Sequence, residues 1–253
     1  MDDGELRGWA VWWVNSVGRP WSTADNTPIA GSDLALDDAG RFKVSPIACF
    51  GVLTAIDHLS FVVDSMMIAG LPKQLFAPLT TLRTALLASA RVKWMLAPDD
   101  TVERQLRCLQ VRFVNAREQR KALNAFADAL LEPESKLDRS ARIAALDQQI
   151  QSLQAHAVGL GGRQLNEPPD TVSILRDHLV DRKSPQGMAI EFLWRKGSAS
   201  AHGYHWDDLQ NSGPLKFNEP SFNLALYGAF GFVDDARTLY IKRAAAPTKR
   251  DLR

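Results

Sequence analysis

Apolar residues recur along the chain at intervals of three and four positions, which is the spacing of one face of an α-helix. No alternation of apolar and polar residues extends beyond four positions, so β-strands are not expected. Outside the hairpin region described below, the apolar pattern predicts helices at residues 5–17, 45–70, about 72–96, about 186–202 and 220–243. The pattern therefore predicts an all-α fold.

Turn-forming residues divide these helices. Gly18 and Pro20 follow the first helix, and no sustained pattern fills positions 19–43, so we predict that this helix ends near residue 17 and that a long loop follows. Asp170 is suited to cap a short helix that ends near residue 180.

Two consecutive segments carry a heptad pattern. Pro98 to Thr101 is typical of a helix start, and apolar residues then repeat at intervals of three and four, as they do again after Pro133. Two such helices joined by a short turn pack antiparallel. We predict a helical hairpin over residues 99–157, inserted in a single domain that spans residues 1–253 and ends in a flexible basic tail at 244–253.

Composition excludes several classes of protein. The 253 residues are 45% hydrophobic, which is enough to form a buried core. Because 30 basic side chains nearly balance 29 acidic ones, the net charge does not indicate a class of partner. Two cysteines cannot form a disulfide scaffold or a cysteine zinc site. The acidic N-terminus does not resemble a signal peptide, and the most apolar stretch, residues 47–71, contains three ionisable side chains. We expect a cytoplasmic protein that does not span a membrane.

The segment with the most chemistry is residues 191–206. At 100° per residue, Glu191, Arg195, Ser198 and His202 fall within about 60° of one another on one helix face. A small residue, Gly197, lies in the middle of this helix, where it would let a backbone or a ligand approach closely. The four residues alone do not decide between a site and a solvated face, since an Arg–Glu pair near a helix-terminal histidine is common.

Two motifs resemble those of the HEPN superfamily (higher eukaryotes and prokaryotes nucleotide-binding). Arg195 and His202 match its R-x(4–6)-H pattern, and residues 198–203 resemble the S-x-x-x-H-G form of uncharacterised bacterial HEPN-like proteins. Residues 82–98 resemble the R-x-A-L-E-x-A-x-x-x-x-W-L-L-x-P helix of those proteins, with Leu87 in place of the acid. The resemblance extends over about residues 45–240.

This resemblance implies an all-α, HEPN-like helical bundle with the hairpin as an insertion. Many HEPN proteins are metal-independent ribonucleases of toxin–antitoxin or phage-defence systems, and dimerisation brings two motifs together. The resemblance thus implies an RNA substrate, a homodimer, an antitoxin or other protein partner, and no cofactor or metal. We expect His202 to act as acid and base, Arg195 to clamp the phosphate, and Ser198 to orient it.

Further residues are predicted around this site. A row of bases on the first hairpin helix is expected to follow the RNA backbone, although a solvated coiled-coil flank is the commoner meaning of such a row. The expected nucleic-acid contacts are Arg104, Arg107, Arg112 and Lys196. The residues expected to support the catalytic groups are Glu191, Tyr204, His205, Asp57, His58 and Arg83. For the last three, a buried ion pair or hydrogen bond is the alternative.

Two other functions remain open. The first is a non-catalytic HEPN-like module that binds nucleotide, RNA or a protein partner. The second is a metal-dependent hydrolase that uses His202, His205 and Asp207, which are close together in sequence and of the ligand types that divalent metals take. A solvated loop is the alternative for this segment, because Gly203 is expected to break the helix between the two histidines.

Overall fold

A computed structural model describes residues 2–69, 74–125, 132–162, 164–176, 181–204 and 216–246. Within these ranges the regular structure is entirely helical and contains no strand. The predicted all-α class is therefore confirmed. The predicted basic tail lies outside the described residues from position 247 onward, as does His205.

Ten α-helices are described. They are α1 (Asp3–Trp13), α2 (Arg19–Thr23), α3 (Asp33–Asp37), α4 (Ser45–Ala69), α5 (Ala77–Leu96), α6 (Thr101–Asn124), α7 (Pro133–Gly159), α8 (Thr171–Ile174), α9 (Pro185–Ala201) and α10 (Glu219–Ala244). Side-chain caps begin several of them: the carboxylates of Asp100 and Asp170 each accept a hydrogen bond from the backbone N–H three residues further on. These caps confirm the helix starts predicted at both positions.

The N-terminal helix differs from its prediction. A π-helical turn, Val14–Gly18, joins α1 to α2, so the helical segment continues to Thr23. Pro20 lies in the first turn of α2, where its missing N–H breaks no hydrogen bond of that helix. The predicted end at residue 17 is therefore wrong, and the predicted loop at 19–43 also contains α3.

The chain forms two compact units. The first comprises residues 1–36, 45–97 and 170–253, and the second comprises residues 37–44 and 98–169. In the first unit α5 packs against α4, α9 and α10, around buried side chains that include Leu59, Leu86 and Phe230.

The second unit contains the two heptad helices, which the sequence analysis placed in a single domain with the rest of the chain. Helix α6 packs against α7, and Leu109, Leu153 and Ala157 form a buried cluster with Leu165. The alternating three- and four-residue spacing places these apolar side chains on the facing sides of the two helices.

Helix α4 carries the most apolar stretch of the chain. By length and composition alone, Ser45–Met66 would suffice to cross a membrane, and 44% of it is buried inside the protein. It packs against α5 and α10, with Val52, Leu59 and Val63 buried. Its apolar character is thus accounted for in part by the core of the first unit.

Candidate functional site

Helix α9 carries a polar stripe, which consists of Glu191, Arg195, Ser198 and the C-cap residue His202. Both ends of the helix are fixed by local hydrogen bonds. The Ser184 hydroxyl accepts a hydrogen bond from the Gly187 N–H at 3.0 Å and caps the N-terminus. At the C-terminus the Tyr204 N–H donates to the Ala199 carbonyl at 2.8 Å, next to Gly203 with φ +69°. This is a Schellman motif, and it confirms the predicted role of Gly203 at the end of the helix.

Close packing against α5 fixes the position of α9. A Cβ at Gly197 would lie 2.8 Å from the Leu79 carbonyl oxygen and 2.6 Å from the Arg83 Cβ, so only glycine permits this approach. Three residues later, the Ser200 hydroxyl donates to the Phe76 carbonyl at 3.0 Å. The small residues of α9 therefore admit the backbone of α5, which accounts for their presence in mid-helix.

Arg195 and His202 are both exposed to solvent on α9. The Arg195 side chain is 52% exposed, and His202 is the C-cap residue of the helix. Seven positions separate the two residues, which places them about 20° apart around the axis and roughly 10 Å apart along it. Ser198 lies half-buried between them. The face of α9 that presents a guanidinium and an imidazole is thus open.

An acidic neighbour engages the guanidinium. Arg195 donates to the Glu191 carboxylate through Nη2 at 2.9 Å and through Nε at 3.2 Å. These hydrogen bonds, helped by the positive charges of Arg182 and Arg176, hold the pKa of Glu191 below its usual value, against a smaller effect of desolvation. Glu191 is therefore a carboxylate at neutral pH, with three arginines near it.

A cleft beside the stripe contains two residues that no sequence pattern predicted. Arg176 and Arg182 line it together with Glu191, and apolar side chains that include Ile190 and Trp194 form the rest of its wall. Neither arginine lies in a motif or shares a helix with the stripe. Only the folding of the segment before α9 brings them to Glu191, so no local pattern in the sequence marks them.

Arg83 contacts α9 through Trp194, and its expected support of the catalytic groups stays a prediction. Its guanidinium carbon lies 4.4 Å from the centre of the Trp194 ring, and its Nε has no hydrogen-bond partner among the described residues. Burial lowers the pKa of Arg83, which nonetheless remains charged, as arginines in proteins do. Arg83 supports Trp194, the wall of the cleft, and makes a cation–π contact there.

The predicted residues at the end of α9 are only partly described. The His202 and Tyr204 rings lie 5.8 Å apart between centres, tilted by 33°, and both side chains are exposed. Lys196 is half-buried. His205 and Asp207 lie outside the described residues, and within those residues no three histidine, cysteine or acidic side chains gather as metal ligands do.

The prediction that Arg104 binds nucleic acid is wrong, because its side chain is 1% exposed. Its Nε and Nη2 donate to the two oxygens of Asp37 at 2.7 and 2.8 Å. Its Nη1 donates to the carbonyls of Pro98 and Asp99, and Nη2 also donates to the Thr101 hydroxyl. All five N–H groups of the guanidinium are thus used inside the second unit.

The other two hairpin arginines that were predicted to contact nucleic acid also have protein partners. Arg107 donates to Glu103 at 2.8 Å, and Arg112 donates to the Lys43 carbonyl at 2.6 Å. Both are half-buried. Their contact with nucleic acid stays a prediction. It requires each arginine to replace its hydrogen bond to the protein with one to a phosphate.

Asp57 and His58 lie on α4. Asp57 is exposed and His58 is half-buried, so a buried ion pair is excluded for Asp57. Asp57 lines a groove between α2 and α4, and no residue of α9 is among the described residues that line it. Among the described residues, no hydrogen bond or ion pair joins Asp57 or His58 to α9. Their expected support of the catalytic groups stays a prediction.

The chain matches no protein-family model, no curated protein and no solved structure.

Proposed function

We propose that this protein is a HEPN-like, metal-independent endoribonuclease that acts in the cytoplasm as a toxin or phage-defence effector. The observation that supports it best is that Arg195 and His202 are both solvent-exposed and lie on one face of α9. The backbone positions of the two residues are roughly 10 Å apart along the helix, so two side chains that turn toward each other could contact one phosphate and its neighbouring sugar. A buried or divergent pair would have been incompatible with this function.

The proposed reaction uses the 2′-hydroxyl of the RNA as the nucleophile. This oxygen loses its proton and bonds to the adjacent phosphorus, the bond to the 5′-oxygen breaks, and that oxygen takes up a proton. The products are a 2′,3′-cyclic phosphate and a 5′-hydroxyl. His202 transfers protons at one of these oxygens, and Arg195 donates to the phosphoryl oxygens as their charge increases. Ser198 lies on the same face and orients the phosphate.

Arg195 must exchange its partner for this reaction. Its ion pair with Glu191 joins two exposed side chains on successive turns, and such pairs contribute about 0.3–0.5 kcal/mol. A charge-assisted bidentate bond to phosphate is stronger than this. The cost of releasing Glu191 is therefore small, and the Arg195 guanidinium turns from Glu191 toward the phosphate when RNA binds.

One histidine cannot be the base and the acid in a single concerted step. In this proposal the second imidazole comes from His202 of a second copy of the chain, as the resemblance to HEPN dimers suggests. An antitoxin or another protein partner that covered the exposed face of α9 would then block the reaction.

A ribonuclease assay in excess EDTA tests the proposal. We expect the wild-type protein to cleave single-stranded RNA, and His202→Ala and Arg195→Ala each to lose at least about 100-fold in rate. Arg142→Ala is the matched control, because Arg142 is an exposed arginine paired with Asp138 four residues before it, in the second unit. Its rate should equal that of the wild type. Equal rates for His202→Ala and the wild type, or cleavage that requires a divalent metal, would overturn the proposal.

Binding of RNA without cleavage is the second candidate. The Glu191–Arg195 ion pair favours it, because a binding module, unlike a catalytic site, does not require Arg195 to be free for chemistry. The same samples distinguish the two functions. RNA binding that is lost in Arg195→Ala, with no cleavage by the wild type over a range of RNAs, would support the binding module.

A further inference from the structure

A groove of about 580 Å³ lies between α2 and α4, in the first unit and independent of α9. Helix α4 lines it with residues that repeat at helical spacing, and α2 contributes Arg19 from the opposite side. The α4 residues that line it include Leu53, Asp57, Ser60, Phe61 and Asp64. Grooves of this volume hold small organic ligands in other proteins.

The charges of the groove are not balanced. The Arg19 guanidinium donates to both oxygens of Asp64 at 2.6 Å and to the Asn15 side chain at 2.6 Å. Asp64 and Arg19 therefore neutralise each other. Asp57 has neither a hydrogen bond nor an ion pair with any described residue, and its carboxylate is exposed. One negative charge of the groove is left without a partner.

A buried hydroxyl in the wall of the groove also lacks a partner. Ser60 is 8% exposed, and its Oγ makes no hydrogen bond to any described residue. Serine hydroxyls in helices usually donate to the carbonyl four residues earlier, as the Thr54 hydroxyl donates to the Phe50 carbonyl about one turn before it. The Ser60 Oγ has almost no accessible surface, so Ser60 forms part of the wall of the groove and is not itself a contact for a ligand.

The remaining wall is apolar and partly aromatic. Phe61 is 65% exposed, a large fraction for a phenylalanine in the middle of a long helix, and Leu53 lies two turns before it and half-buried. Phe61 follows Ser60 directly and is one turn after Asp57. An aromatic face beside a free carboxylate is the combination that binds organic ammonium ions.

We propose that this groove binds a small organic cation: a primary ammonium group attached to an apolar body. The ammonium pairs with Asp57 and the apolar body packs on Phe61 and Leu53. An anion is disfavoured, because Arg19, the one base among the described residues that line the groove, is already engaged by Asp64 and the free charge is negative. This proposal does not depend on the ribonuclease activity.

Calorimetry with a set of matched probes tests the proposal on the wild-type protein. The probes are phenethylamine, which carries a cationic group, phenethyl alcohol, which is neutral, and 3-phenylpropionate, which is anionic. We expect the amine to bind at least tenfold more tightly than either of the other two. Equal affinity for the alcohol, tighter binding of the anion, or no binding of the amine at millimolar concentrations would overturn the proposal.

Two substitutions, each of which removes one negative charge, locate the site. Asp57→Asn should weaken phenethylamine binding at least tenfold, and Glu118→Gln, at an exposed acid of the second unit, should change it less than twofold. Both side chains are exposed, and unchanged far-ultraviolet circular dichroism would show that both variants are folded. Equal weakening in the two variants would mean that the amine responds only to overall charge, and would contradict the site.

Discussion

Removal of the carboxylate that faces Arg104 provides the sharpest stability test. In the second unit, Asp37 is 0% exposed and accepts hydrogen bonds from two nitrogens of a guanidinium that is 1% exposed. Asp37→Ala takes away two of the five hydrogen bonds of Arg104 and the only opposite charge that is paired with it in the described residues. The buried cation then keeps its three other hydrogen bonds but has lost its paired carboxylate.

The cost follows from the burial of the pair. Breaking a buried ion pair by removing one partner destabilises proteins by about 3–5 kcal/mol, because the remaining charge stays in a medium of low polarity. At about 1.4 kcal/mol for each factor of ten, the opening equilibrium of the second unit should rise by roughly two to four orders of magnitude. The apolar pair Asp37→Leu with Arg104→Met should recover most of the loss, because it removes both charges.

Hydrogen–deuterium exchange of peptides from α6 and α7 measures this opening directly. Asp147→Ala is the control, because it breaks the exposed pair of Asp147 with Arg120 in the same unit, where the expected loss is under about 1 kcal/mol. If Asp37→Ala accelerated exchange no more than Asp147→Ala does, Arg104 would not be a buried structural cation. The prediction that it meets nucleic acid would then be open again.

Three further substitutions test other parts of the structure. Gly197→Ala should destabilise the first unit by about 1–3 kcal/mol, because the new Cβ would meet the α5 backbone. Gly8→Ala on α1 is the control: no atom lies within 4 Å of its Cβ, so this substitution should stabilise the unit by about 0.5–1 kcal/mol. Urea denaturation followed by tryptophan fluorescence distinguishes the two variants, and equal effects would contradict the close contact. Burial raises the pKa of the Cys108 thiol to about 11. Above about pH 9 the thiol loses its proton in the unfolded state but keeps it in the folded state. The free energy of unfolding of the wild type should therefore fall between pH 9 and 11 by about 2–3 kcal/mol more than that of Cys108→Ala. Urea denaturation at each pH measures both, and an equal dependence of the unfolding free energy on pH would refute the shift. Glu191→Gln should free Arg195 and tighten the binding of a fluorescent RNA oligonucleotide about fivefold at low salt, measured by anisotropy; an unchanged affinity would mean that Arg195 does not meet RNA.

The sequence predicted helix ends correctly where one capping residue determines them. Asp100 and Asp170 cap the helices they were expected to begin, and Gly203 ends α9 with a positive φ. Each of these signals acts through bonds within a few residues, so the sequence contains all that is needed. The π-helical turn before Pro20 was missed, because the usual meaning of a glycine and a proline in succession is the end of a helix.

Contacts between distant residues were not predictable in the same way. Nothing in the heptad pattern distinguishes Arg104, which is buried against Asp37, from Arg107, which pairs with an acid on its own helix. Arg176 and Arg182 reach Glu191 only through the folding of the segment before α9. The stripe on α9 was predictable because it depends on helical periodicity alone, whereas its surroundings depend on tertiary packing.

The central claim is that Arg195 and His202 act together on one phosphate of the RNA. A double-mutant cycle of single-turnover RNA cleavage rates in EDTA tests it most directly, because groups that act as a unit have strongly non-additive effects. We predict that the variant with both Arg195→Ala and His202→Ala is no slower than the more damaged of the two single variants. Losses that add independently, or single variants that cleave at the wild-type rate, would contradict the account.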